Sequence, residues 1–126
     1  MTMILIDDNY RRRMRVLIIT LFAACVMLVL HTTGTSLFLY WTINWFDLLV
    51  HGIGGFVIGA FLFFFFAQRP LLFAVSSFIA ITCWELFEVF IIRIPAEGIP
   101  YVTDTASDIL IGVAGVATAR LLLRRL

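Results

Sequence analysis

Three pairs of side chains capable of chemistry stand in apolar surroundings: Asp47 and His51, Glu85 and Glu88, and Asp104 and Asp108. The residues around them are mostly Leu, Ile, Val, Phe, Ala and Gly, and the mean hydropathy of the chain is +1.08. An ionisable group at membrane depth costs a few kcal/mol and is kept mainly where it faces a protein interior. Spacings of four, three and four residues put both members of each pair on one helix face.

Carboxylates and an imidazole arranged as D-x-x-x-H, E-x-x-E and D-x-x-x-D supply oxygen and nitrogen ligands for Zn, Mn, Mg or Fe. A divalent ion would also neutralise several carboxylates at once, which a group of five acids facing only His51 and Arg93 requires. With an open coordination position it would allow hydrolysis or transfer on lipid or cell-wall intermediates. The same groups without a metal would share protons and form part of an ion pathway. Such a pathway lacks continuation, because from Gly52 to Phe66 the chain has no ionisable residue. Taken singly, each residue also has an ordinary role. Asp104 after Thr103 fits a helix cap, Glu88 can pair with Arg93, Glu85 can bond across helices, and His51 can be a hydrogen-bonded packing residue. No Ser, Cys or Lys nucleophile stands beside a base; Ser107 next to Asp108 points to a different helix face.

The elements that must position these pairs follow from composition. Of 126 residues, 63% are hydrophobic and 13% charged, more apolar surface than a soluble domain of this length can hide. Four runs approach the ~20 residues needed to cross the hydrocarbon, at about 14–31, 45–67, 71–92 and 104–123. The first is read as an uncleaved span and not a signal peptide, since no small-x-small site follows it. Gln68-Arg69-Pro70 is a turn, the segment 35–44 with Phe38, Tyr40 and Trp41 is interfacial, and Pro95, Gly98 and Pro100 mark a loop.

Arginines 11, 12, 13, 15, 69, 120, 124 and 125 fall on one side of this arrangement and only Arg93 on the other. The positive-inside rule therefore places both termini in the cytoplasm and the loops 31–44 and 93–103 outside. Tyr40, Trp41, Trp45, Trp84 and Tyr101 gather towards the outer ends, as an interfacial belt does. All three polar pairs then lie at the outer ends of their helices, in one shallow layer, and are expected to converge. A net charge of +1 gives no reason to expect nucleic acid as a partner.

Gly55 and Gly59, with Gly52 and Gly54 nearby, give the second span a small-residue face, and Gly112, Gly115 and Ala119 do so on the fourth. These faces predict close approach of the spans carrying Asp47/His51 and Asp104/Asp108, and offer a route to a homo-oligomer. Cys25 and Cys83 read as small buried apolar side chains, with no zinc-like spacing.

Trp45-Phe46-Asp47-x-x-x-His51-Gly52, Trp84-Glu85-x-x-Glu88 and Asp104-Thr105-x-x-Asp108, with Gly112 and Gly115 following, resemble a pattern in small bacterial inner-membrane proteins of the YjdF-like group. The pattern is more distantly similar to VanZ-like proteins, from which it departs in having Leu48 and a Glu-x-x-Glu element. The resemblance covers about residues 45–119. It implies a polytopic membrane protein with a shared acidic/His constellation at 47, 51, 85, 88, 104 and 108, and no particular reaction.

The expectation is an all-α, integral membrane four-helix bundle, one domain over residues 1–126, multi-pass in the inner membrane with membrane lipid as its surroundings. Its outward-facing acidic/His site is expected to bind a metal or substrate, with Asp47, His51, Glu85, Glu88, Asp104 and Asp108 as ligands, for lipid-linked or envelope chemistry. A proton- or ion-coupled transporter working as an oligomer, and a non-catalytic scaffold, are the alternatives.

Overall fold

The computed structural model describes residues 8–88, 90 and 101–126. Its helices are α1 (Asp8–Ser36), α2 (Leu39–Thr42), α3 (Phe46–Phe66), α4 (Pro70–Phe87) and α5 (Tyr101–Leu123). Four of them, all but α2, are long and apolar enough to cross a membrane. Arg93, Pro95, Gly98 and Pro100 of the expected second outer loop lie outside the described residues.

The first helix is longer than the 14–31 expected. It runs through the arginine-rich start and on past His31, because its threonines do not break it. Thr32 donates to the Leu28 and Val29 carbonyls and Thr35 to the His31 carbonyl, so the hydroxyls are satisfied within the helix. The helix ends near Phe38, whose φ of 56° is left-handed and costs a non-glycine residue about 1 kcal/mol. α2 then falls within the segment 35–44 that the sequence marks as interfacial. Arg69 and Pro70 make the second turn, with Pro70 at the first helical position of α4, where its missing N–H is harmless. Asp104 is not a cap: α5 begins at Tyr101, and Asp104 sits within its first turn, where an acid still favours the helix dipole.

Helix α3 is the centre of the molecule, packing on α1, α4 and α5, and its contact with α5 is the most extensive. Small residues make that contact. A Cβ added to Gly55 would strike the Gly112 carbonyl, with the carbonyl carbon at 2.7 Å. One added to Gly115 would meet the Gly52 carbonyl oxygen and stand 2.8 Å from the Phe56 nitrogen. The two backbones touch, as expected from the glycine spacing.

Val16, Ala60, Phe63, Phe73, Val116, Ala119 and Leu123 belong to one buried cluster. It joins the early part of α1 to the end of α3, the start of α4 and the end of α5. Both described chain ends therefore lie at one end of the molecule, and the three polar pairs lie at the other. Cys25 and Cys83 are exposed on the helix surfaces, not buried as expected. In a layer of so few helices most apolar side chains face the surroundings, and lipid accepts a thiol as readily as a core does.

Candidate functional site

His51 is the hub. It is the second member of the α3 pair, one turn beyond Asp47, and is buried with a side-chain exposure of 6%. Its Nε2 lies 3.4 Å from Asp47 Oδ1 and 3.5 Å from Glu88 Oε2. Its Nδ1 lies 3.1 Å from Glu85 Oε1. Three carboxylates from two helices therefore surround one imidazole, and both ring nitrogens face an acid.

Asp108 on α5 completes the group. Donor atoms of Asp47, His51 and Asp108 lie within 4.8 Å of one another, and so do those of His51, Glu85 and Glu88. Asp104, partly buried one turn earlier on α5, is near enough to Asp47, His51 and Glu85 to feel their charge. Of the six residues expected to converge, Asp47, His51, Glu85, Glu88 and Asp108 are brought to one place, and Asp104 lies outside both groups of close donor atoms. The α3/α5 glycine contact is what carries Asp108 to His51, since a wider helix separation would leave it stranded.

Two of these carboxylates are incompletely satisfied. Asp108 is 4% exposed, and its Oδ1 is buried without a hydrogen-bond partner among the described residues. Glu85 is equally buried, and its Oε1 meets His51 at ion-pair distance but outside hydrogen-bond geometry. Buried polar atoms left unpaired cost about 1–3 kcal/mol and ask for a reason. Thr82 Oγ1, one turn before Glu85 on α4, is also buried and unpartnered. Ser107 is not a nucleophile in waiting: its hydroxyl donates to the Thr103 carbonyl at 2.9 Å, away from the cluster.

Sequence reasoning missed a second layer above the hub. Tyr40 of α2 shares a 2.8 Å hydrogen bond with His31 Nδ1 at the end of α1, and its ring packs edge-on against Phe46. Gly34 makes room, since a Cβ there would stand 2.8 Å from the Phe46 ring and 2.9 Å from that of Tyr40. Burial, with the negative charge of Asp47 and Glu88 nearby, pushes the Tyr40 phenol up to about 12. Tyr40 thus keeps a neutral hydroxyl, bonded to His31, within the field of the acidic cluster. Its position in a short polar-aromatic segment gave only an interfacial signal; its distance from Asp47 in the fold was not legible.

Beside the hub is an apolar cleft of about 200 Å³, with Met27, Val50, Ile81, Trp84 and Gly112 in its walls and His51 at its edge. Trp41, Trp45 and Trp84 at the same end are exposed, as an interfacial belt would be. Among known proteins, no family model matches this chain, and no curated protein or solved structure matches it either. The likeness to YjdF-like proteins accordingly rests on the residue pattern over 45–119 alone.

Proposed function

We propose that the chain is a multi-pass inner-membrane protein whose acidic/His layer faces outward and holds a divalent cation, for chemistry on a lipid-linked or envelope substrate. The observation that carries this reading is the buried, unpartnered Asp108 Oδ1 beside an imidazole with a carboxylate at each nitrogen. A neutral imidazole has one N–H and one lone pair. The lone pair can face an acid comfortably only with a proton or a cation between them.

His51 Nε2, Asp47 and Asp108 form the natural ligand set, with Glu88 within reach of the same nitrogen. Glu85 then faces Nδ1, the place where a metal-bound histidine usually has the partner that orients it. Four carboxylates around one imidazole carry an excess of negative charge that a divalent ion would offset. Mixed nitrogen and oxygen donors suit Zn, Mn or Fe better than Mg, which prefers oxygen and water. Held by these residues, a divalent cation would supply Lewis-acid polarisation of a phosphoryl or carbonyl oxygen. The neighbouring apolar cleft would take part of a lipid tail, which supports a lipid-linked substrate.

Elemental analysis of protein purified in detergent and exposed to each of the four metals tests the reading. Wild type should hold about one divalent ion per chain and gain thermal stability from it, and Asp47→Asn and Asp108→Asn should lose most of both. A wild type that stays metal-free, and whose melting temperature no ion raises, would defeat the metal site and leave shared protons as the reading.

A further inference from the structure

The opposite end of the molecule holds a second polar site. A cleft of about 420 Å³ opens between the start of α1 and the α3–α4 turn. Its mouth is polar, with Arg12, Arg13, Gln68 and Arg69, and its floor is apolar, with Phe63 and Phe64 among the residues there. The arginines are held in place: the Arg12 guanidinium lies over the Phe63 ring at 5.6 Å and that of Arg13 over Phe64 at 5.7 Å. Arg120 stacks in the same way on Phe73, at 4.6 Å, just behind the cleft.

A guanidinium over a ring face still has N–H donors that must find acceptors elsewhere. Those acceptors are missing among the described residues. Arg12 Nε and Arg120 Nη1 are buried with no hydrogen-bond partner. Every ion pair among the described residues involves His51, at the other end, and none involves an arginine. Positive charge flanking a span is ordinary and requires only charge. Here all nine basic side chains are arginine and none is lysine. Three of them line one cleft, and one of these three has an unsatisfied buried donor.

We propose that this cleft binds the phosphate group of an anionic phospholipid, from the leaflet that the chain termini face. Guanidinium forks match phosphate oxygens in pairs. The cleft stands at the end of the spans, where headgroups lie, and its phenylalanine floor suits the start of an acyl chain in a way that a freely soluble anion does not require. The lipid phosphate would accept from Arg12 and Arg13, with Arg69 closing over it from the turn.

Native mass spectrometry of protein taken from bilayers of phosphatidylcholine containing a minor share of phosphatidylglycerol tests this. Phosphatidylglycerol should be retained in preference to phosphatidylcholine. Retention should fall about tenfold in Arg12→Gln and in Arg69→Gln, but stay within about twofold in Arg125→Gln, which removes the same charge outside the cleft. Arg69 is exposed and has no ring contact, so its variant tests the site even where Arg12→Gln weakens the fold. An equal loss in Arg125→Gln, or no loss in the two cleft variants, would overturn the proposal in favour of general surface attraction. Displacement of the lipid by inorganic phosphate alone would overturn it in favour of a soluble phosphate ligand.

Discussion

His51 and Tyr40 are two polar rings at one end of the molecule with different demands. His51 must answer carboxylates on both sides, at 3.1 to 3.5 Å, while itself buried. Tyr40 needs only to keep its proton. Burial is the main reason its phenol titrates near 12 and not at the ordinary 10.0, and Asp47 and Glu88 push in the same direction. Below pH 10 the folded and unfolded forms both hold this proton. Between the two values the unfolded chain loses it first, so this group's contribution to stability is lost as pH rises through that window. Ultraviolet difference titration of the folded protein should show a late phenolate component, and Tyr40→Phe should remove it. Titration of all tyrosines in a single step near 10 would contradict the half-buried position of Tyr40 near Asp47 and Glu88.

At the scale of the element, the contact between α3 and α5 decides whether there is a site at all. Each helix offers small residues at three- and four-residue spacing, with Ala119 completing the set on α5, and the two backbones meet at Gly55, Gly112 and Gly115. The glycines are not equivalent. A Cβ at Gly55 would drive into the backbone of Gly112, which cannot move without moving the helix. A Cβ at Gly112 would meet only the Ile81 side chain, at 3.3 Å, and that can shift. Gly55→Ala should therefore cost about 1–3 kcal/mol in detergent unfolding, and Gly112→Ala clearly less. Equal costs would mean that the seam is looser than drawn. Because Asp108 follows the same seam, Gly55→Ala should also weaken whatever His51 and Asp108 bind together.

The whole molecule is polarised. One end gathers acids around His51, the other gathers arginines around phenylalanine rings, and the spans between carry hydroxyls that bond back to their own helix, as Thr20 and Ser77 do. The arginine distribution leads to the expectation that both termini face the cytoplasm. In a background lacking Cys25 and Cys83, an impermeant thiol reagent added to intact cells should label Thr42→Cys, which is exposed on α2. Arg69→Cys should react only after the membrane is opened. The reverse pattern would turn the acidic layer towards the cytoplasm and remove the case for envelope chemistry, while leaving the ligand geometry as it stands.

Much of this was legible in the sequence because a membrane restricts the choices. Runs of apolar residues near the length of a bilayer have to be helices, since lipid satisfies no backbone group. The arginines and the turn at Gln68–Pro70 then fix the order and alternation of the spans, and the shared depth of 47/51, 85/88 and 104/108 follows from that alternation. Periodicity could say that Asp47 and His51 share a face, but not what the face meets. The tertiary structure decided that His51, and not one of the carboxylates, stands at the centre. It also decided that Asp108 and Glu85 are the partners left incompletely satisfied, that Asp104 belongs to a helical turn and not a cap, and that Tyr40 packs on Phe46 and bonds to His31. The reason is physical: spacing along one helix is set by backbone geometry, whereas neighbours across helices are set by how closely two particular surfaces can pack, and Gly55 against Gly112 sets that distance here.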